Sequence, residues 1–334
     1  MADRPRVLFV HISPDLVSFV KKDIEILSRH FEVRPLLYRS RRDIWRVMTG
    51  ALWADVTFSW FAWDQAAWAV RLSRMLGRKS IVIVGGFDVI SMPEISYGNL
   101  LNPRPAKRTR YAITRATRAI AISQSIMEDA QRFTGRQDIG LIYHGFDSEA
   151  FKPSGPKQPI ALTVGTLNLS NLKRKGMETF IRAAQFAPEI PFRLVGKVEQ
   201  DAFDAINGFI PDNLTLVGKV DSKTLLEEMQ KAAVYVQPSA HEGFGCSLAE
   251  AMLCGDIPVV TNAGAIPEVV GDTGTYVPRE DPEATAMAVR QALGMNDGMK
   301  ARTRIAEMFP LSKREAALVA AVEEVLGGKA GGGS

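Results

Sequence analysis

The sequence predicts two doubly wound α/β domains, each built on a parallel sheet. Short β-branched runs recur along both halves of the 334-residue chain, and they are continuously apolar, which indicates strands buried on both faces. Helix-like stretches separate these runs, as parallel crossovers require. The length is that of about two domains. The expected architecture is therefore two Rossmann-like domains facing a cleft.

The predicted strands follow in chain order, six in each half. Those of the first half are Val7 to Val10, Val33 to Leu37, Val56 to Phe58, Ile81 to Val84, Ile120 to Ile122 and Leu141 to Tyr143. Those of the second half are Ile160 to Val164, Phe192 to Val195, Leu214 to Val217, Val234 to Val236, Ile257 to Val260 and Thr275 to Val277. Helix boundaries are predicted at Asp281, an N-cap before Pro282, and at Gly255, which ends a helix.

The domain boundary is predicted in the segment KPSGPKQP, residues 152–159, because three prolines and a glycine favour an extended linker that cannot join a sheet ladder. The first domain then spans residues 1–151 and the second residues 152–310. The last helix, about 311–327, is expected to pack back on the first domain, and residues 327–334 are expected to form a flexible tail. Ligands of parallel sheets bind beyond the carboxyl ends of the strands, so the cleft between the domains is the expected active site.

Composition indicates a globular enzyme, since 46% of residues are hydrophobic and 23% charged. Cys246 and Cys254 have neither a disulfide framework nor zinc-ligand spacing. Neither a signal peptide nor a transmembrane span is predicted. The expectation is a cytoplasmic protein, with a peripheral contact at the inner face of the membrane as an alternative raised by its charge. That charge is uneven, because the first half is basic and the second slightly acidic.

The most informative stretch runs from Gln237 to Gly264, QPSAHEGFGCSLAEAMLCGDIPVVTNAG. A strand ends in a polar loop with Glu242, glycines bracket Phe244, and a helix follows from about Cys246 to Cys254. Glycines at such a turn let backbone amides approach a ligand, and the helix N-terminus suits a diphosphate. Glu250 follows Glu242 by eight residues, so the two carboxylates can reach different hydroxyls of one extended ligand.

The alternative is that Glu242 is a solvated loop charge and Glu250 a surface residue of the helix. The helix is apolar almost all round, which favours a partly buried carboxylate at position 250 that needs a partner.

The sequence from Glu242 to Val260 resembles the signature of the retaining GT-B glycosyltransferases of the group 1, family 4-like type. The resemblance extends to VGTLNLSNLKRKG at 164–176, LVGKV at 216–220, AIPEV at 265–269 and YHGFDSEAF at 143–151. It covers most of the second half and the end of the first, whereas the first 80 residues match only in their rhythm of strands and helices.

The resemblance implies a role for each matching residue. Glu242 would contact hydroxyls of the donor sugar, Glu250 would hold the ribose, and Lys175 would neutralise the departing diphosphate. The remaining donor-binding positions it implies are Gly165, Thr166, Arg174, Gly218, Lys219, Gly243, Phe244, Gly245 and Cys246. For Lys175 the alternative is an ordinary solvated lysine at a helix start.

The chain departs from the family pattern at two places. Thr166 stands where many members have a phosphate-binding arginine, and Arg174 or Lys173, from a loop over 167–174, are the candidates to compensate. Where many members have H-G-x-D, this chain has Gly85, Gly86, Phe87 and Asp88 without the histidine. Asp88 is then predicted to contact the donor sugar or an acceptor hydroxyl, the alternative being that it caps the following turn.

No cofactor and no metal are expected, since none of the four histidines has ligand spacing and there is no Asp-x-Asp run. His144 and His241 flank matched motifs, although a lone histidine is more often structural. Acceptor recognition is assigned to the first domain, with Glu94 and Tyr97 as a wall of the site. The loop SPDLVS, 13–18, is expected to supply a helix cap at Ser18 rather than a substrate contact.

The first half contains a basic segment with no acidic residue between Ile95 and Met127. Five of its cations, Arg104, Lys107, Arg108, Arg115 and Arg118, are predicted to share one helical face. All five tryptophans lie between Trp45 and Trp68, near further arginines. This combination suits contact with anionic lipid, and the alternative is a solvated basic face with core tryptophans. Nucleic-acid binding is not expected, because no reading motif is present.

Taken together, these features predict a metal-independent, retaining hexosyltransferase that moves a sugar from a nucleotide-diphosphate donor to a hydroxyl of a polysaccharide, lipid-linked or small-molecule acceptor. Two alternatives stay open, a nucleotide-sugar epimerase or hydrolase on the same fold and a non-catalytic nucleotide-sugar-binding protein. The base, the sugar, the acceptor and the oligomeric state are not predicted.

Overall fold

The computed structural model describes residues 4–14, 17–295 and 297–327, and these form two compact units. Of the described residues, the first unit comprises 4–14, 17–145 and 311–327, and the second comprises 146–295 and 297–310. Residues 15 and 16 of the predicted cap loop, and residues 328–334 of the predicted tail, lie outside the described residues.

The first unit is a six-stranded parallel sheet flanked by helices. Its strands are β1 (Arg6–His11), β2 (Glu32–Leu37), β3 (Val56–Trp60), β4 (Lys79–Val84), β5 (Arg118–Ala121) and β6 (Gly140–Leu141), in the order β2-β1-β3-β4-β5-β6. Its helices are α1 (Ser18–His30), α2 (Ile44–Trp53), α3 (Asp64–Met75), α4 (Pro103–Arg115) and α5 (Gln124–Thr134), with the last helix of the chain returning to it.

The second unit contains a second six-stranded parallel sheet. Its strands are β7 (Gln158–Val164), β8 (Phe192–Val195), β9 (Leu214–Gly218), β10 (Ala232–Gln237), β11 (Ile257–Thr261) and β12 (Thr275–Val277), in the order β12-β11-β10-β7-β8-β9. Its helices are α6 (Leu169–Arg174), α7 (Met177–Phe186), α8 (Gln200–Ile206), α9 (Ser222–Lys231), α10 (Cys246–Leu253), α11 (Ile266–Val270), α12 (Pro282–Leu293) and α13 (Gly298–Met308). The fold class is thus the predicted one.

Continuous apolar runs form the central strands because helices cover both faces of each sheet. All of β3 and β11 is buried. Phe180 of α7 packs against Phe192 of β8 in the core of the second unit, at a ring distance of 5.1 Å. Asp281 caps α12 as predicted, accepting a hydrogen bond from the backbone of Ala284 at 2.9 Å.

Four local predictions need correction. Helix α1 begins at Ser18 with Val17 at its N-cap position and no side-chain cap hydrogen bond, so Ser18 is not the predicted cap. Strand β7 begins at Gln158, inside the segment predicted as a linker. Its register with β10 shifts between Gln158 and Ala161, where Pro159 lacks a backbone donor. Residues 169–174 form helix α6 rather than a loop, because Asn168 caps it by accepting from the amide of Asn171. Arg118 is in β5, paired in register with Ile81, so it does not share the face of α4.

The last helix, α14 (Leu311–Val325), is held to the first unit by a buried ion pair. Arg314 donates to both carboxylate oxygens of Asp23 in α1, at 2.7 and 2.6 Å, and to the carbonyl of Tyr143 at 2.7 Å. Trp60 donates its indole N–H to the same carboxylate at 2.8 Å. Each polar group of this cluster is therefore satisfied inside the core, as burial of charge requires.

Candidate functional site

The strand order of the second sheet reverses direction between β7 and β10, which is the switch point where open parallel sheets bind ligands. The connections that leave the carboxyl ends of these two strands carry most of the predicted donor-site residues. Lys175 and Arg174 follow β7, and Glu242 follows β10. The fold therefore brings together two segments that lie about seventy residues apart in the sequence.

Glu242 is buried, with 8% of its surface exposed, so it is not a solvated loop charge. Its Oε1 atom lies 3.4 Å from Lys175 Nζ and 3.6 Å from Arg174 Nη1. The hydroxyl of Ser239 donates to the same oxygen at 3.2 Å. One carboxylate is thus held between two cations and a hydroxyl, which is the compensation that a buried charge needs.

The pKa of Glu242 reflects two opposing effects. Burial acts to raise the pKa, but the positive charges of Lys175 and Arg174 outweigh burial and hold it below the usual value of 4.5. The carboxylate is consequently ionised at neutral pH and accepts hydrogen bonds. A hydrogen-bond acceptor of this kind suits a sugar hydroxyl.

The backbone of Glu242 is fixed by the connection that follows β11. The carbonyl of Glu242 accepts from the amide of Ala265 at 2.9 Å. Gly264 lies directly against it with a φ of +57°, and a Cβ atom there would stand 2.3 Å from that carbonyl oxygen. Ser239 is held in a similar way, since its carbonyl accepts from Thr261 Oγ1 at 2.6 Å. The backbones of Glu242 and Ser239 are therefore both held by the end of β11 and the connection that follows it.

The lysine segment and the glutamate segment are fastened together by backbone contacts. Ala240 donates its amide to the carbonyl of Arg174 at 2.7 Å. Gly176 has a φ of +64°, and a Cβ atom there would stand 2.0 Å from the carbonyl oxygen of Pro238. Only glycine allows this approach. Gly176 thereby sets the distance between Lys175 and Glu242.

Three neighbouring strands, β7, β8 and β9, end in a valine–glycine pair. The glycines are Gly165, Gly196 and Gly218, and the amide of Gly196 donates to the carbonyl of Gly218 at 3.0 Å. A Cβ atom on Gly165 would stand 3.1 Å from Lys175 Cδ. The absent side chain leaves room for the lysine stem. Gly196 is missing from the predicted site, although the repeated Val-Gly pair in the sequence could have indicated it.

Arg174 occupies the place predicted for a substitute cation beside Thr166. Its guanidinium donates to Asn171 Oδ1 at 3.1 and 2.7 Å, and Asn171 donates in turn to the carbonyl of Thr166 at 2.7 Å. Lys173 is exposed and pairs with Glu178 at 3.0 Å. Of the two candidates, Arg174 is therefore the one near Glu242. Asn171 and Ser239 were not predicted from the sequence.

Helix α10 starts at the end of the glutamate loop, as predicted. Gly245 precedes it with a φ of +97°, which favours glycine. Phe244 is buried, stacked on Phe146 at 5.7 Å between ring centres and edge-on to Phe309 at 5.3 Å. The side chain of Phe244 is thus an anchor, and it leaves the backbone of residues 243–246 as the part able to face a ligand.

The other predicted donor residues have different surroundings. Glu250 is half-buried in α10, whose other side is buried through Leu248, Ala249 and Met252. Gly243 and Cys246 are half-buried at the start of that helix, and Lys219 is exposed after β9. Their contacts with a donor stay predictions.

In the first unit, Asp88 is fully buried and accepts a hydrogen bond from the amide of Gly85 at 2.6 Å. Burial raises its pKa to about 7. Through this contact, the Asp88 carboxylate holds the turn that follows β4. Contact between Asp88 and a substrate stays a prediction.

A row of aromatic side chains lines the strand ends of the first unit. Phe61, which follows β3, has a φ of +65°, a strained value for a residue with a side chain. Its ring lies 5.5 Å from that of Trp63, and Phe87 lies 5.4 Å from Trp63 and 5.1 Å from Tyr97. Tyr97 is therefore part of an aromatic wall, whereas Glu94 is exposed in the turn beside it. Phe61 and Trp63 were not predicted as site residues.

Within residues 4–14, 17–295 and 297–327, no group of three or more His, Cys, Asp or Glu side chains is arranged to hold a metal ion. His144 is buried and stacks on Trp60 at 5.8 Å, which fits a structural role. Over the same residues, no helix has the length and apolar character needed to cross a membrane.

Comparison with known proteins finds a family match over most of the second unit. Residues 158–295 match the family described as glycosyl transferases group 1. The alpha-maltose-1-phosphate synthase of Mycobacterium tuberculosis (strain ATCC 25618 / H37Rv) is 28% identical over 220 residues, covering 55% of this chain and 54% of that protein. The phosphatidyl-myo-inositol mannosyltransferase of Mycolicibacterium smegmatis is 33% identical over 124 residues, covering 35% and 32%. The chain aligns with about half or less of the length of these relatives.

Solved structures share the fold over nearly the whole chain. HepE of Anabaena, in complex with UDP and glucose, superposes with a TM-score of 0.80 at 18% identity, covering 96% of this chain and all of that one. Sucrose-phosphate synthase from Thermosynechococcus elongatus superposes with a TM-score of 0.78 at 16% identity, covering 97% of this chain and all of that one. At such low identity, these similarities establish the GT-B fold.

Proposed function

Because residues 158–295 match the family described as glycosyl transferases group 1, we propose that the chain transfers a sugar from a nucleotide-diphosphate-sugar to a hydroxyl acceptor, with retention at the anomeric carbon. The single observation that carries the proposal is the buried carboxylate of Glu242, held at the sheet's switch point by Lys175, Arg174 and Ser239. A hydrogen-bond acceptor for hydroxyls thus lies beside two cations suited to phosphate.

Each part of this site has a role in the proposed reaction. Glu242 accepts hydrogen bonds from the donor sugar and orients it. Lys175 and Arg174, together with the amides at the start of α10, neutralise the diphosphate as it departs, when its negative charge increases. The bond that breaks joins the anomeric carbon to the phosphate oxygen, and the new bond forms on the same face of the sugar. The departing phosphate oxygen takes the proton of the acceptor hydroxyl, so no protein nucleophile is needed.

We also propose that the reaction needs no metal ion, because the two cations next to Glu242 supply the positive charge that a divalent ion would otherwise bring to the diphosphate. The test is transfer measured with and without a chelator. Unchanged transfer in EDTA is expected, and loss of transfer that added Mg²⁺ restores would contradict this part of the proposal.

The donor is identified by thermal stabilisation with UDP-, GDP- and ADP-sugars, since a ligand raises the melting temperature of the state that it binds. The relatives and neighbours named above guide the panel, which includes mannose and glucose donors. The stabilising donor is then supplied with candidate acceptors, and the product is checked for anomeric configuration by NMR. Transfer with retention is expected.

Two results would show a different function. Release of free sugar or isomerised donor without any acceptor product would indicate a hydrolase or an epimerase. Donor binding without turnover for any acceptor would indicate a non-catalytic binding protein. Glu242→Ala is the matched probe, because it removes the sugar-contacting group while Lys175 and Arg174 keep the diphosphate site. It should weaken binding of the nucleotide-sugar more than binding of the free nucleotide.

A further inference from the structure

A cavity of about 640 Å³ opens at the amino-terminal edge of the first sheet. Strands β4, β5 and β6 are neighbours in that sheet, and each contributes its first residue to the cavity, namely Lys79, Arg118 and Gly140. The end of α14 also lines it, through Glu324 and Val325. Because the strands are parallel, this edge lies opposite the strand ends that carry Asp88. The cavity is therefore distinct from the predicted acceptor site, and its volume is that of a small-molecule site.

The side chains around this cavity have an excess of positive charge. Its cations are Lys79, Arg118 and Arg136, and its carboxylates are Asp138 and Glu324. Arg136 is used by the protein, since it donates to both oxygens of Asp138 and to three backbone carbonyls around the end of α4. Glu324 pairs with Arg118. The ammonium group of Lys79 is the excess charge, because no acidic side chain among the described residues pairs with it.

The guanidinium of Arg118 is only partly used by the protein. Its Nη1 atom donates to Glu324, whereas its Nε–H is buried and has no acceptor among the residues that the structure describes. A Cβ atom on Gly140 would stand 3.5 Å from Nε and 3.6 Å from Nη2, so these two nitrogens lie beside a residue without a side chain. A buried donor without an acceptor costs free energy, which a bound acceptor would recover. Two adjacent N–H groups match the two oxygens of a carboxylate or a phosphate.

We propose that this cavity binds a small polyhydroxylated oxyanion, a molecule of the sugar-acid or sugar-phosphate class. The oxyanion accepts from Nε and Nη2 of Arg118 and lies beside the ammonium group of Lys79. Asp138, whose side chain is 78% exposed, accepts hydrogen bonds from the hydroxyl groups. The described residues that line the cavity include no aromatic ring, which disfavours a nucleotide, because its base would have no stacking partner. The site belongs to the first unit alone, so it does not depend on the proposed transfer reaction.

The test is isothermal titration calorimetry of the full chain with gluconate and with sorbitol 6-phosphate, which carry the two kinds of oxyanion on similar polyol chains. Sorbitol, which has no charge, is the matched ligand control. Saturable binding of at least one of the anions, and none of sorbitol, is expected. Arg118→Gln should weaken this binding at least about tenfold, because it removes a charged pair of donors. Lys79→Gln should weaken it about fivefold, as expected for a more exposed charge.

Gly140→Val tests the same site without removing a charge. Its side chain fills the space beside Nε and Nη2 of Arg118, so it should weaken binding about as much as Arg118→Gln. The control is Arg34→Gln, because Arg34 is also a strand arginine that pairs with a glutamate, but it lies in β2 at the other end of the sheet. It should bind like the unchanged chain. Circular dichroism and melting temperature show whether each variant is folded.

Three results would overturn the proposal. The first is that neither anion binds, and the second is that folded Arg118→Gln or folded Gly140→Val binds as well as Arg34→Gln. The third is that Lys175→Ala loses the binding while Arg118→Gln retains it, which would assign the anion to the diphosphate site of the second unit. If Arg118→Gln does not fold, Gly140→Val and Lys79→Gln carry the same comparison.

Discussion

The ammonium group of Lys175 lies 3.4 Å from the carboxylate of Glu242, although the two residues come from connections after different strands. Lys175 is about one-fifth exposed along its side chain, whereas Glu242 is almost closed off from solvent. The carboxylate is thus almost fully enclosed by the fold, whereas the lysine side chain keeps partial contact with solvent. This arrangement gives the two residues different expected phenotypes on substitution.

Lys175→Ala should lower the rate of sugar transfer by about 100-fold or more, because a charge that counters the departing diphosphate acts most strongly in the transition state. The neighbouring Lys173→Ala is the control, since Lys173 is exposed and pairs with Glu178 rather than with Glu242. The measurement is kcat and KM with the donor found in the thermal screen.

Lys173→Ala should retain nearly full activity. If both variants lose activity equally, the loss comes from general disturbance of the segment and not from the position of one ammonium group. If Lys175→Ala retains activity, its assignment to the diphosphate is wrong.

Gly176→Ala should destabilise the second unit by more than the usual cost of a left-handed alanine, because its Cβ would overlap the carbonyl of Pro238 at 2.0 Å. Gly155→Ala is a matched control in the same unit, with a φ of +74° and no atom within 4 Å of the added Cβ. We expect about 1 kcal/mol for Gly155→Ala and at least about 3 kcal/mol for Gly176→Ala. Calorimetric unfolding gives both values, and equal losses would contradict the role of close approach.

Most of the fold could be predicted because buried parallel strands leave a direct trace in the sequence. Thr275–Val277 and Phe192–Val195 have the predicted bounds, because a glycine or a proline stands on either side of each strand. Arg118 was wrongly predicted to lie on the face of α4. The sequence has no signal for the turn between Arg115, where α4 ends, and Arg118, where β5 begins. That turn is set by tertiary contact, in which Thr117 and Ser80 exchange hydrogen bonds between backbone and hydroxyl groups.

The sequence predicted the residues of the site that lie within recognisable motifs, but not the contacts between segments far apart in the chain. Glu242 and Lys175 could be named from their motifs, but the sequence does not show that one carboxylate oxygen is shared by two cations and Ser239. Such sharing depends on distances across the sheet's switch point. Phe61 was missed for the same reason, because its positive φ results from packing after β3 and has no signature in the residue type.

Arg314→Ala should destabilise the first unit by about 3–5 kcal/mol, because it leaves the carboxylate of Asp23 buried without its cation. Arg29→Ala is the control. Arg29, in α1, pairs with Glu315 of α14 at an exposed position, and its substitution should cost under about 1 kcal/mol. Tryptophan fluorescence follows this unfolding selectively, because all five tryptophans lie in the first unit. A small loss in Arg314→Ala would show that water reaches Asp23.

Asp88→Asn should remove a pH dependence from the stability of the first unit. Burial raises the pKa of Asp88 from 3.8 to about 7 in the folded state. As pH rises past 3.8, the unfolded chain releases this proton while the folded chain retains it, so the stability of the folded state falls across the window between 3.8 and about 7. The full effect is at most about 4 kcal/mol, from 1.36 kcal/mol for each pKa unit. Asparagine has no proton to release, yet its carbonyl oxygen can still accept from the amide of Gly85.

The unfolding free energy, followed by tryptophan fluorescence at pH 5 and pH 7.5, should therefore fall less between the two values in Asp88→Asn than in the unchanged chain. Asp212→Asn, at an exposed position, should leave the difference as it is. Transfer activity separates the two predicted roles of this residue, because a carboxylate that only holds the turn is replaceable by an amide of the same shape. Near-normal kcat in Asp88→Asn would assign Asp88 to the turn after β4, whereas a loss of about 100-fold with unchanged folding would place it in contact with substrate.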